Sequence, residues 1–184
     1  MVPITSLVIP ILVSAVFVFL ASSVIHMMLG YHKNDFSQIP NEDAALEALR
    51  QMKIPPGDYC APFARSTAEL KSPAFAERAA RGPLVMMTLS PGGPVSMGAQ
   101  LMQWFLYCVV ISFFAAYVTG RVLGPEAHYL AVFRVAGAVT FMGYAMGLPQ
   151  HSIWYRKQWG STLRSMFDGL VYALLTAGTF GWLW

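Results

Sequence analysis

The chain has 184 residues, of which 56% are hydrophobic and only 11% charged, with a net charge of +3; soluble domains carry about 25% charged residues. That balance excludes an ordinary soluble globule and a disordered chain, and the few basic residues give nucleic acid no partner surface. Two cysteines are too few for a disulfide framework.

A helix needs about 20 apolar residues to cross a hydrocarbon core of about 30 Å. Four stretches meet that need on reading, at residues 4–29, 98–119, 129–148 and 165–184. The expected fold is therefore an all-α integral membrane protein with four transmembrane helices. A small, Pro-rich, mainly helical insertion separates helices 1 and 2. The domains expected are 1–30 as the first helix, 31–97 as the insertion, and 98–184 as a three-helix unit.

The first span lacks a basic leader and a small-residue cleavage site, so it is expected to remain as a helix. Pro10 lies inside it and either bends it or marks its true start. His26 and His32 follow at its end, with Met27 and Met28 as soft donors between them.

The insertion holds most of the charge. "PNEDAALEALRQM" reads as a helix with Asn41 as N-cap and Glu42 and Asp43 in the first turn, where the helix dipole favours acids. "IPPGDYCAPF" reads as its stop. "SPAFAERAARG" reads as a second helix, capped by Ser72, opened by Pro73 and ended by Gly82. "PLVMMTLSPGG" reads as one strand and a turn. Cys60 lies in this region and Cys108 in the second span, so both are expected as free thiols.

The second span carries Gln100 and Gln103, the third Arg134, and the fourth Asp168, four residues after Arg164. Charges and amides inside spans mark either a polar path or local pairing. Local pairing and headgroup contact are the expectation here, with a transport path through Gln100, Gln103, Arg134 and Asp168 as the alternative. His151 follows the third span and should lie at the same membrane face as His26 and His32. These three histidines are the candidates for a haem or metal ligand set. Their spacing matches no helix-face pair and neither C-x-x-C-H nor H-E-x-x-H occurs, so no cofactor or metal is expected. His128, at the other face, reads as interfacial.

Small residues give the positive signal. Gly169, Ala173, Ala177 and Gly181 recur every four residues in the last span, and Gly143 and Gly147 do so in the third. Such rows let helix backbones approach closely. Lys33, Arg78, Arg81, Arg156, Lys157 and Arg164 flank one side of the spans, against Arg121 and Arg134 on the other. By the excess of basic residues that side is cytoplasmic and both termini lie outside a bacterial inner membrane. Trp154, Tyr155, Trp159, Trp182 and Trp184 fit interfacial belts.

No nucleotide-binding or hydrolase motif occurs. The expected function is therefore a non-catalytic accessory or assembly subunit of a larger integral membrane complex, partnered by lipid and by other subunits or itself. A homo-oligomeric transporter or channel and a haem or metal carrier are the alternatives.

Overall fold

A computed structural model describes residues 1–94 and 96–184. In chain order it comprises a 3-10 turn (Ile4–Leu7), α1 (Val8–Met27), α2 (Glu42–Met52), β1 (Gly57–Ala61), α3 (Thr67–Leu70), α4 (Pro73–Arg81), β2 (Val85–Leu89), α5 (Gly98–Val122), α6 (Tyr129–Phe141), a π-helical turn (Met142–Met146), α7 (Pro149–Tyr155) and α8 (Trp159–Trp182). The chain divides into two compact units: Met1–Ser37 with Ser96–Trp184, and Gln38–Val95.

Three helical stretches, not four, are long and apolar enough to cross a membrane: Ile4–Met27, Gly98–Val122 and Tyr129–Tyr155. The last runs through the π turn into α7. The expectation of a fourth is corrected by composition. α8 has 24 residues, but it begins six residues before the expected apolar stretch and carries Ser161, Thr162, Asp168, Thr176 and Thr179 among its buried positions. These groups lower its apolar average because they face neighbouring helices.

In the larger unit the long helices alternate in direction. The backbone N–H of Val2 donates to the carbonyl of Gly120 at 2.7 Å, tying the start of the chain to the end of α5. A Cβ on Gly120 would stand 2.8 Å from the Val2 carbonyl oxygen, so only glycine permits that approach. At the opposite end the Trp104 indole N–H donates to Ser22 Oγ at 2.8 Å, joining the start of α5 to the end of α1. Pro10 falls in the first turn of α1, after the 3-10 turn, where its missing N–H costs nothing. Trp184 is not free at an interface: its indole N–H donates to the Gly124 carbonyl at 2.9 Å. His128 accepts from the Leu130 N–H at 3.2 Å and so caps α6.

α8 packs chiefly on α6. An added Cβ on Gly169 would stand 2.9 Å from the Ala145 Cβ, one on Gly181 would stand 2.6 Å from the Tyr129 ring, and one on Gly137 would stand 3.1 Å from the Ala177 Cβ. Ala173 and Ala177 are buried in the same face. Gly143 faces elsewhere, against Ile111 of α5, and Gly147 meets only the end of Gln150. The π turn precedes Pro149, whose ring cannot continue an α-helical ladder. The carbonyl of Gly143 in that turn accepts from the Tyr107 hydroxyl at 3.0 Å.

The smaller unit comprises α2, α3, α4 and a two-stranded antiparallel sheet, with Gly57 opposite Leu89 and Ala61 opposite Val85. β1 lies in the Pro-rich stretch that reads as a turn, and the short α3 was not anticipated. Ser72 caps α4 by accepting from the Phe75 N–H at 3.1 Å, and Gly82 ends it with a φ of 56°. Asn41 holds the N-cap position of α2, but its left-handed backbone, φ 54°, departs from the extended geometry a side-chain cap requires, and its side chain caps nothing. No described residue of this unit is buried.

Candidate metal centre

The turn after α1 folds His32 back over the last turn of that helix. The His26 and His32 rings stack with centroids 4.6 Å apart and planes 13° from parallel. Asp168, buried on α8, meets them there. One ligand atom from each of His26, His32 and Asp168 lies within 4.8 Å of the others. Tetrahedral ligands of a single zinc ion stand about 3.3–3.5 Å apart, so closing the set on an ion takes side-chain movement of about an ångström or more.

The hydrogen bonds around the three side chains define which atoms remain. His26 Nδ1 lies 3.1 Å from the Ser22 carbonyl oxygen, which can only accept, so Nδ1 carries the hydrogen and Nε2 a lone pair. His32 Nδ1 lies 2.7 Å from Asp35 Oδ2, to which it donates, so Nε2 carries a lone pair when the ring is neutral and a proton when it is charged. Asp35 is held in turn by Arg164, whose Nε donates to Oδ1 at 2.9 Å. Asp168 accepts from the Tyr31 hydroxyl on Oδ1, leaving Oδ2. Oδ2 stands 2.7 Å from His32 Nε2 but out of line for a hydrogen bond, and Nε2 has no hydrogen-bond partner. A lone pair and a carboxylate oxygen at that distance repel unless a proton or a cation lies with them.

Charge points the same way. The Asp35 and Asp168 carboxylates face one guanidinium and the two nitrogens of His32, so the second carboxylate is balanced either by a second proton on His32 or by a bound cation. Burial pushes the Asp35 carboxyl up, but the hydrogen bonds and charges of His32 and Arg164 outweigh it and hold the group below the ordinary aspartate range. Burial and the Asp168 carboxylate raise the Tyr31 phenol, which stays protonated as a donor.

A cavity of about 480 Å³ opens beside the cluster. Its walls include Trp104, Tyr107, Tyr144 and Tyr172, and Asp168 and His26 stand at its polar end. Trp104 lies 6.0 Å from both Tyr144 and Tyr172, ring centre to ring centre.

The other residues singled out by sequence fall as follows. His151 is exposed beside Tyr155 and stands outside the cluster. Gln100 lines the cavity with Asp168, whereas Gln103 is exposed and Arg134 borders a separate depression with Gly137, Ala173 and Ala177. Gln103 and Arg134 do not line the cavity that Gln100 and Asp168 share. Arg164 pairs with Asp35 and not with Asp168, its neighbour one turn on. Tyr31 and Asp35 carried no sequence signal beyond closeness to His32.

No family model, curated protein or solved structure matches this chain.

Proposed function

We propose that the protein is a multi-pass membrane metalloprotein that binds one divalent first-row transition ion through His26 Nε2, His32 Nε2 and Asp168 Oδ2. One observation carries the reading: each of the three side chains already has its other polar atom hydrogen-bonded, in the manner of ligating histidines whose second nitrogen is held by a carboxylate or backbone carbonyl. Two nitrogens and one oxygen, with no thiolate, suit zinc or ferrous iron and leave coordination positions open, as at sites that bind or activate a ligand. Imidazole lone pairs lie in the ring planes, so the stacked His26 and His32 rings do not yet converge on one point; binding an ion requires one ring to rotate, and the stack leaves no slot between the rings for a haem plane. On this reading the bundle lies in a bacterial inner membrane with its basic side cytoplasmic.

Elemental analysis and titration calorimetry of the purified protein with zinc test the proposal. One ion per chain is expected in the wild type, and loss of at least tenfold in affinity in His32→Ala and Asp168→Asn. A wild-type protein that takes up no ion, or variants that bind as well as it does, would refute it and leave His32 as an imidazolium between two carboxylates.

A second reading, membership of a larger complex as an accessory or assembly subunit, is favoured by the Gln38–Val95 unit. It buries no described residue and exposes Leu46, Met52, Phe63, Leu70 and Met86. Such a unit gains a core only from a surface outside itself. Purification in mild detergent tests this, since a stoichiometric second polypeptide is expected.

A further inference from the structure

The cavity beside the cluster has features that the metal centre alone does not use. We infer that it binds a lipid-soluble molecule with an oxygen-bearing ring, of the quinone or quinol class, whose polar end points to the metal ligands. The inference rests on the metal reading only for that last direction.

Size comes first. A volume of about 480 Å³ lies in the range of about 300–1,000 Å³ typical of pockets for single drug-sized molecules, and is too small for a whole two-chain lipid. The route in is apolar: Met27, Met97 and Leu101 line the cavity and are all exposed, on the ends of helices α1 and α5 and the residue that precedes α5. A ligand that crosses such a rim comes from the bilayer.

The walls select a ring. Trp104, Tyr107, Tyr144 and Tyr172 stand at tilted and edge-on angles, with Tyr144 and Tyr172 at 5.3 Å and 72° and Tyr107 and Tyr144 at 5.7 Å and 82°. Aromatic faces and edges so arranged offer a further ring the edge-to-face contacts it favours. An acyl chain gains only burial from them.

The oxygen is required by Tyr144. Its side chain is 7% exposed, it lines the cavity, and its hydroxyl has no hydrogen-bond partner. The Cys108 thiol lies beside it, and sulfur is a weak partner that leaves the hydroxyl short of a full hydrogen bond. A buried hydroxyl left unpaired is costly, and a ligand oxygen at that depth removes the cost. The π turn is what sets Tyr144 here, and π turns recur at functional positions.

The test is a titration of the purified full-length protein in detergent with a benzoquinone bearing one isoprenyl unit, followed by tryptophan quenching. It is run on metal-stripped and zinc-loaded protein. Saturable quenching is expected, absent in Trp104→Phe. Tyr144→Phe should weaken binding about 3- to 10-fold, the worth of one neutral hydrogen bond. The same variant should melt no lower than wild type without ligand, because it removes an unpaired polar group. Zinc should tighten binding in the wild type and not in His32→Ala. If Tyr144→Phe weakens the quinone while zinc has no effect, the cavity inference stands and the metal reading fails. No saturable quenching, equal affinity in Tyr144→Phe, or decanoic acid bound as tightly as the quinone would overturn the inference.

Discussion

Arg164 on α8 and Asp35 in the turn after α1 are joined through two nitrogens of the guanidinium to one carboxylate oxygen, across 129 residues of chain. Asp35 in turn orients His32, so this pair is the outer brace of the His26, His32 and Asp168 cluster. A fully buried charged hydrogen bond is worth about 1.5–3 kcal/mol. Arg164 keeps 32% of its side chain exposed, so solvent screening reduces the figure. A double-mutant cycle of Arg164→Met and Asp35→Asn should return a coupling of roughly 1–2 kcal/mol in thermal unfolding. Additive effects would mean that the brace carries no energy.

The same carboxylate makes stability depend on pH. Asp35 is held below the ordinary aspartate value of about 3.9 in the folded protein. Its contribution is therefore fully present above that value and is lost as pH falls through the lowered folded value. Melting temperature measured between pH 6 and 3 should drop more steeply in wild type than in Asp35→Asn. Superimposable profiles would contradict the ion pairing.

Metal binding should also register as stability. An ion at 100 times its dissociation constant adds about 2.7 kcal/mol to a protein that binds it only when folded. For a chain of this length that is roughly 5–10 °C. Differential scanning of stripped protein with and without zinc should show such a rise, which His26→Ala and Asp168→Asn abolish. A rise retained in both variants would place the ion elsewhere.

The contact of α8 with α6 leaves no room at Ala177, fully buried with Gly137 opposite it. Ala177→Leu should destabilise by about 1–3 kcal/mol through overpacking. Leu174, half exposed one turn away, should accept Met with little change. Thermal melts in detergent compare the two, and equal tolerance would deny the row a packing role.

Orientation is open to a thiol probe. Cys60 is partly exposed and Cys108 fully buried. If the basic side is cytoplasmic, a membrane-impermeant maleimide should label Cys60 only after permeabilisation and leave Cys108 unlabelled throughout. Ready labelling of Cys60 in intact cells would reverse the topology.

Much of the helix layout was legible in sequence because apolar length and end signals are local. Gly98 and Tyr129 were read as span starts and the structure begins helices there, and the Ser72, Pro73 and Gly82 signals delimit α4. β1 was not legible, because "GDYCA" sits between prolines and gains strand form only from its pairing with β2. The site was half legible. His26 and His32 were singled out, but His151 was grouped with them on membrane depth alone. A span starting at residue 165 places Asp168 in its first turn, whereas α8 begins at Trp159 and carries Asp168 more than two turns in, where it is buried. That α8 turns this carboxylate toward α1 is a fact of helix rotation, which the spacing within either helix does not encode.

The bond from Tyr31 to Asp168 closes a loop of 137 residues. A ribosome adding about 5–20 residues per second needs on the order of ten seconds to travel between them. During that interval His26 and His32 are already made, while the carboxylate that completes their set, and Arg164 which braces it, have not been synthesised. The cluster is thus completed only by α8, and a chain truncated before Asp168 carries the two histidines without their carboxylate.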